Sequence, residues 1–234
     1  MGRTAPVSIV IPALNEEARL GSCLRSLVRF TPSWEILVVD GGSEDRTLDV
    51  AASFQSSGVI TLSAPRGRGT QMNAGAAAAS NPVLLFLHVD VTLPEDSPRW
   101  IGEALSDPRV VAGAFRTHTV PEERGSPIGP LLRLADLRSR YTGLPYGDQA
   151  PFVRAEVFRK TGGFAPIPLM EDLDFVRRLR REGEIRTVPA TVTVSGRRFV
   201  RKPVRSALSM NLFPLLYRLG VSPWFLARLY GDPR

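Results

Sequence analysis

At 234 residues the chain can bury one substantial core, as a single compact domain or as two fused halves, and its apolar share of 43% and charged share of 23% are ordinary globular values. The formal net charge of +7 and pI near 10.4 favour anionic partners such as phosphorylated ligands, acidic lipid or nucleic acid, and equally fit a chain kept soluble by its charge. A single cysteine, Cys23, excludes an internal disulfide and a cysteine-built zinc site; the N-terminal MGRTAPVSIVIP lacks a long apolar stretch, and no run of about 18 apolar residues predicts a membrane span.

Val7-Ser8-Ile9-Val10-Ile11 is a β-branched run stopped by Pro12 and reads as a buried strand. Asn15 follows as the N-cap of a helix with Glu16 and Glu17 in its first turn and Leu20, Cys23, Leu24, Leu27 and Val28 on one face. Glu35 to Asp40 is a second strand ending in an acid, Gly41-Gly42-Ser43 a turn, and Glu44 to Phe54 a helix. Val59 to Leu62 is a third strand, Arg66-Gly67-Arg68-Gly69 a flexible basic turn, and an alanine-rich helix runs to about Ala79. Val83 to Leu87 is the fourth strand. Strands alternating with helices predict a parallel sheet with helices packed on it, and ligands in such sheets bind beyond the carboxyl ends of the strands. Asn15, Asp40, Ser43, Arg66, His88 and Asp90 sit at those ends.

The second half has a different texture. Val110 to Arg116 reads as a strand, residues 121–130 as a Pro/Gly loop, and Leu131 to Arg140 as a helix. A turn-rich polar segment from Gly143 to Gln149 precedes the short apolar Phe152-Val153. Glu171 to Arg181 is a helix with acids at its start and arginines toward its end, as the dipole favours. Val188 to Val194 carries strand signals, and Leu208, Leu212, Leu215, Leu216 and Leu219 form an apolar helical face kinked at Pro214. The chain thus divides into 1–95, 96–200 and a C-terminal helical segment over 201–234.

Four clusters bear chemistry, each with a plainer alternative. In Leu84-Leu85-Phe86-Leu87-His88-Val89-Asp90, strand alternation puts His88 and Asp90 on one face, where a carboxylate could hold a divalent cation bridging phosphates; otherwise Asp90 caps a turn. Asp40 could accept from a base or ribose, or open a strand-to-helix turn with Ser43 as cap. Arg66-Gly67-Arg68-Gly69 could embrace a diphosphate, or be a solvated turn; it lacks the lysine of a P-loop and the interleaved aromatics of a nucleic-acid site. Glu171-Asp172, with Asp174 two residues on, could raise one another's pKa and supply a general base, or simply decorate a helix start.

Taken in order, Val-Ser-Ile-Val-Ile-Pro-Ala-Leu-Asn-Glu-Glu, Val-Val-Asp-Gly-Gly-Ser-Glu-Asp-Arg-Thr, Arg-Gly-Arg-Gly-Thr-Gln-Met-Asn-Ala-Gly, Phe-Leu-His-Val-Asp and Met-Glu-Asp-Leu-Asp-Phe resemble the inverting family 2 glycosyltransferases over about residues 5–200. Within that family, Phe-Leu-His-x-Asp, Gly-Asp-Gln and Arg-Arg-aromatic resemble a small bacterial subgroup named for selenium- or arsenosugar-associated genes. The resemblance implies an α/β GT-A fold: a Rossmann-like, mostly parallel central sheet flanked by helices, with a C-terminal helical tail. It implies a nucleotide-sugar-binding half over 1–95 and an acceptor-binding and catalytic half over 96–200. It implies that Pro12, Ala13, Asn15 and Glu16 line the base and ribose, that Asp40 holds the base, and that Arg66, Gly67 and Gln71 flank the nucleotide. Asp90 matches the last position of the family's Asp-x-Asp metal motif, whose first position here is His88. By the same likeness Asp172 is the catalytic base with Glu171 beside it, Tyr146, Gly147, Asp148 and Gln149 face the acceptor, and Arg197 and Arg198 close over the diphosphate.

The implied reaction is a single displacement on a nucleoside-diphosphate sugar, with UDP first and GDP next, assisted by Mn²⁺ or Mg²⁺ and delivering a hexose to a small-molecule or lipid-linked acceptor. Two alternatives stand beside it: a nucleotidyltransferase on a related sheet, and a non-catalytic sugar-nucleotide-binding protein at a membrane surface. The second is motivated by basic residues flanking an apolar helical face from Arg201 to Arg234, a face that equally suits packing on the core. No nucleic-acid partner is expected. The expected location is cytoplasmic, at the inner membrane face if the tail touches lipid, and the sequence does not give the oligomeric state.

Overall fold

The computed structural model describes residues 6–30, 34–121, 136, 147–196 and 212–231. In chain order they form β1 (Val7–Ala13), α1 (Glu17–Leu27), β2 (Trp34–Asp40), α2 (Thr47–Ala52), β3 (Val59–Ser63), α3 (Arg68–Ala78), β4 (Val83–Phe86) and β5 (Val91–Thr92). Then follow α4 (Ser97–Leu105), β6 (Val110–Val120), β7 (Phe152–Arg154), α5 (Ala155–Lys160), α6 (Glu171–Leu179), β8 (Glu184–Ser195) and α7 (Pro223–Tyr230). Residues 212–218 are also helical.

The strands make one sheet in the order β3-β2-β1-β4-β7-β6-β8-β5. β3, β2, β1 and β4 run parallel, β7 is antiparallel to both β4 and β6, β8 is parallel to β6, and β5 is antiparallel to β8. The fold is thus the expected α/β arrangement with a mostly parallel sheet. β1 leads to β2 and β3 on one side, whereas β4 returns on the other, so the strand order reverses at β1/β4. A crevice opens at such a reversal, beyond the carboxyl ends of the strands.

Side-chain alternation explains why these strands read as continuous apolar runs. Val7, Ile9 and Ile11 of β1, Ile36 and Val38 of β2, and Val83 and Leu85 of β4 enter one core with Leu20, Leu24 and Leu27 of α1 and Ile101 of α4. Val10, Leu37, Val39, Leu84 and Phe86 face the opposite core with Met72 and Ala76 of α3 and Phe175 and Leu179 of α6. A sheet buried on both faces needs apolar residues at every position. α3 lies very close on its face: a Cβ added to Gly75 would be 2.3 Å from Val10 Cγ1.

Several boundaries differ from those expected. β1 does not stop at Pro12, which pairs in register with Val39. In a parallel strand the N–H and C=O of one residue point to the same neighbour. Val10 accepts from Leu87 N on the β4 side, so Pro12 also faces that side, at the very end of β4, and its missing N–H leaves the pairing with β2 intact. Asn15 is not the N-cap of α1, which begins at Glu17 after Glu16; its side chain serves the neighbouring loop instead. His88 and Asp90 do not share a strand face, because residues 88–91 form a turn closed by Val91 N donating to His88 O. α2 is confined to Thr47–Ala52, since side-chain acceptors hold residues 44–46 in another shape. β8 starts at Glu184 rather than Val188. α4 and α5 were not anticipated; α4 has an apolar face of Ile101, Ala104 and Leu105 and a Pro in its first turn. The expected helix over 131–140 and the tail over 201–211 lie outside the described residues, apart from Asp136. No helix among the described residues is long and apolar enough to cross a membrane.

Candidate functional site

The carboxyl ends of β1 and β2 carry two loops sewn together by side chains. Asn15 N donates to Ser43 Oγ at 2.9 Å, and Glu44 N donates to Asn15 Oδ1 at 2.9 Å. Glu16 N donates to Thr47 Oγ1 at 2.8 Å, Glu17 N to Asp45 Oδ2 at 3.1 Å, and Arg46 N to Glu17 Oε2 at 3.0 Å. Five main-chain donors that no helix or strand could satisfy are thereby paired across the gap between two strands. Asn15 pays for this with a left-handed φ of 52°, which asparagine tolerates better than most residues.

Asp40, buried at the end of β2, accepts from Gly42 N at 2.9 Å and Ser43 N at 3.0 Å through Oδ2, and from the Ser43 hydroxyl through Oδ1. It organises its own turn, and Ser43 is a donor to it rather than a helix cap. Gln71 is placed under the rim: its Nε2 donates to Ala13 O and Val39 O, both at 2.8 Å, tying β1 to β2. Its amide hydrogens are therefore directed at the main chain and not at the cleft. Ala13 is in the core and Glu16 is buried, leaving Pro12 and Asn15 as the more open members of the expected base-and-ribose set.

α3 carries the basic turn to the centre. Gly67 precedes it at φ 139°, a backbone state that L side chains rarely adopt. Arg66 is exposed, while Arg68, expected with it to embrace a diphosphate, turns inward to a carboxylate. Its Nη1 donates to Glu171 Oε1 at 3.1 Å, with side-chain exposures of 26% for Arg68 and 3% for Glu171. Burial alone would lower the Arg68 pKa; the negative charge of Glu171, followed by Asp172, Tyr230 and Asp90, reverses this and raises it. Arg68 is thus the point on which groups from the turn after β4, the start of α6 and the C-terminal segment converge. A pairing 103 residues apart leaves no signal in a single sequence.

The start of α6 is held as tightly. Met170, just before it, is left-handed at φ 70°, and with Asn15 and Ala150 it completes the non-glycine residues of positive φ among the described residues. Such backbone strain, about 1–3 kcal/mol each, is tolerated where the surroundings fix it. Asp172 accepts from Gly147 N at 3.0 Å through Oδ2 and from its neighbour Leu173 N at 2.7 Å through Oδ1. A Cβ on Gly147 would lie 2.6 Å from His88 Nε2 and 3.7 Å from Asp172 Oδ2, so the imidazole packs on the same glycine that anchors the carboxylate. Behind Asp172 runs an apolar seam of Phe152, Phe164, Phe175 and Val176. The loop before α6 is pinned to α3 by Asn73, whose amide exchanges two 2.9 Å bonds with Phe164 N and O.

The two neighbouring carboxylates divide their labour. Burial raises the Glu171 pKa, Arg68 opposes this, and Asp172 adds a smaller upward push. Glu171 is nevertheless closed off and engaged by Arg68, whereas Asp172 is only half-buried. Asp90 is half-buried in its turn, with its main-chain oxygen accepting from Ser195 N at 3.0 Å at the end of β8. Its charge reaches both Arg68 and Cys23, whose thiol burial pushes up to about 12 with help from Asp90 and Glu16. No group of three or more metal-ligating side chains occurs among the described residues. Asp148 is half-buried and Gln149 buried, both in the short turn Gly147–Gln149. Tyr146, Arg197 and Arg198 lie outside the described residues.

The sequence is 41% identical over 93 residues to a PGL/p-HBAD biosynthesis glycosyltransferase of Mycobacterium bovis (strain BCG / Pasteur 1173P2), covering 38% of this chain and 36% of that one. It is 32% identical over 97 residues to the dolichyl-phosphate beta-glucosyltransferase ALG5D of Trichomonas vaginalis, covering 36% and 30%. The match thus spans about a third of the length of these curated relatives. Among solved structures, the mannosyltransferase PcManGT from Pyrobaculum calidifontis, in complex with GDP-Man and Mn²⁺, superposes with a TM-score of 0.68 at 17% identity over 97% of this chain and 68% of that one. TarS of S. aureus in complex with UDP-GlcNAc gives 0.65 at 19% over 81% and 58%. These likenesses show the fold. The family model described as "Glycosyl transferase family 2" matches residues 8–162, more than half of the chain, and the protein belongs to that family.

Proposed function

We propose that the protein transfers a hexose from a nucleoside-diphosphate sugar to an acceptor hydroxyl with inversion, and that Asp172 is the general base. The observation that carries this reading is the fixing of Asp172 by two main-chain N–H groups, Gly147 and Leu173, at an open edge beside the buried Arg68–Glu171 pair. Such fixing holds one oxygen lone pair in a constant direction, as a base that must meet a proton at one point requires. Asp172 takes the acceptor's proton as the acceptor oxygen bonds to the anomeric carbon. The bond from that carbon to the diphosphate breaks, and the diphosphate leaves with its electron pair. An α-linked donor yields a β-linked product.

Arg68 and Glu171 position the start of α6, and Gly147, Asp148 and Gln149 face the acceptor. Asp40, Pro12 and Asn15 support the base-and-ribose end, with Arg66 and Gly67 toward the phosphates. A carboxylate such as Asp90 suits a cation that the donor's own phosphates also ligate, as Mg²⁺ commonly binds. A bound Mn²⁺ or Mg²⁺ would neutralise charge on the departing diphosphate. UDP is the first choice of base and GDP the second; TarS and PcManGT hold one each. The Phe-Leu-His-Val-Asp and Gly-Asp-Gln motifs keep the selenium- or arsenosugar-associated subgroup as the nearest reading within the family.

A thermal-shift panel of nucleoside diphosphates with and without Mn²⁺ reads base preference and metal dependence together, because bound ligand raises apparent stability by mass action. With a turning-over donor, Asp172→Asn should keep the nucleotide-induced shift and lose about 10²–10⁴-fold in sugar transfer. Retained transfer, or release of pyrophosphate instead of nucleoside diphosphate, would overturn the assignment.

A further inference from the structure

The whole charge excess of this protein sits at its C-terminal end. Residues 197–234 hold eight Lys and Arg against one Asp, which equals the net charge of +7, so residues 1–196 carry 22 of each sign and are neutral. The described part of that segment is two short helices, residues 212–218 and α7, joined by a turn and folded back so that Phe213 and Tyr230 meet edge to face at 6.2 Å.

Each helix has an inner and an outer face. Inward, Tyr217 packs against Leu173 and Val176 of α6, where burial and then the negative charge of Asp174 raise its pKa; Phe213, Leu226 and Ala227 are buried. Outward, Leu212, Leu215 and Leu219 follow one helical stripe, with Arg218 exposed beside them. On α7 the exposed stripe is Trp224, Phe225 and Leu229 around Arg228. Trp224 is 62% and Leu219 73% exposed, and six large apolar side chains over 18 residues is a concentration that soluble surfaces rarely carry without a partner.

From this we infer that the C-terminal helical hairpin is an interfacial docking element for anionic lipid bilayers. Leucine and aromatic side chains enter the headgroup–acyl boundary while arginines pair with acidic headgroups, each basic residue near the surface adding to the attraction. The chemistry suits lipid better than nucleic acid, because four of the six exposed side chains are leucines, which offer neither stacking faces nor hydrogen bonds. The inner face rests on the helix that begins with Glu171-Asp172, so docking would set the cleft at the membrane surface, where a lipid-linked acceptor is found. The docking itself does not depend on the transferase reading.

The test is flotation of the full chain with vesicles of phosphatidylcholine alone and of phosphatidylcholine with about a third phosphatidylglycerol, at low and high salt. Wild type should float with the anionic vesicles and release as salt rises. Trp224→Ala/Phe225→Ala should lose at least about tenfold in partitioning, since two large side chains leave the interface, with unchanged circular dichroism and thermal midpoint. Arg218→Gln/Arg228→Gln should narrow the preference for anionic over neutral vesicles. Failure to float, flotation of the aromatic variant like wild type, or equal recovery on both vesicle types would overturn the inference. A concentration-dependent dimer lost in the aromatic variant would assign the face to a second copy of the chain instead.

Discussion

Replacing Arg68 by methionine keeps most of the side-chain volume and removes the cation facing Glu171. The carboxylate is 3% exposed and accepts from Arg68 Nη1 at 3.1 Å, so the variant leaves a buried charge without its counter-ion. Breaking such a pair from one side costs about 3–5 kcal/mol. For a chain of this size each kcal/mol moves the melting midpoint by about 2–4 °C, so a fall of roughly 6–20 °C is expected near pH 8. The deficit must depend on pH with a definite sign. Burial raises the folded pKa of Glu171 above its unfolded value, and Arg68 opposes that rise. An acid with a raised folded pKa contributes most below its unfolded pKa, and that contribution is lost as pH climbs through the folded one. Without Arg68 the folded pKa rises further, so the difference between wild type and Arg68→Met should shrink at pH 5 and grow toward pH 8. Glu171→Gln should be milder, because Arg68 is 26% exposed and can turn to water. Scanning calorimetry of the three proteins at both pH values reads this directly. Equal deficits at pH 5 and pH 8, or a Glu171→Gln as damaging as Arg68→Met, would refute the electrostatic account.

Two further substitutions probe the rim. Gln71→Leu removes both bonds to Ala13 O and Val39 O and should lower the unfolding free energy by about 1–3 kcal/mol in urea titration, whereas a pure ligand-binding role would leave stability intact. Gly147→Ala puts a methyl 2.6 Å from His88 Nε2 and should displace the imidazole or the turn that anchors Asp172. A misplacement of about 1 Å is worth on the order of 10²-fold in turnover, so kcat should drop while the thermal midpoint moves little.

The sheet was legible because both of its faces are buried. Continuous apolar runs such as Glu35 to Asp40 and Val83 to Leu87 could be read strand by strand, and their order with intervening helices gave the parallel topology. Reading failed where a local rule met a tertiary one. Pro12 stops a strand only where its N–H is needed for the pairing, and the pairing of β1 with β2 runs on through Pro12 and Ala13. Asn15 has the composition of a cap, yet its oxygen finds Glu44 N on the next loop. His88 and Asp90 alternate only if the strand continues, and a turn intervenes. Within the site, Asp172 and Gly147 were singled out by likeness to a motif, while the pairing of Arg68 with Glu171 and the role of Asn73 were missed. Their partners, Glu171 and Phe164, are distant in sequence, and no spacing announces them.

Under the proposed function, the stitching between the loops after β1 and β2 bears on how a nucleotide would arrive. Asn15, Ser43, Asp45 and Thr47 already hold that pair of loops in one shape through bonds to each other's main chain. A guest therefore meets a finished seat, and little of its affinity is spent on freezing mobile backbone. Capture at this end should behave as a simple diffusive encounter, with association following nucleotide concentration linearly.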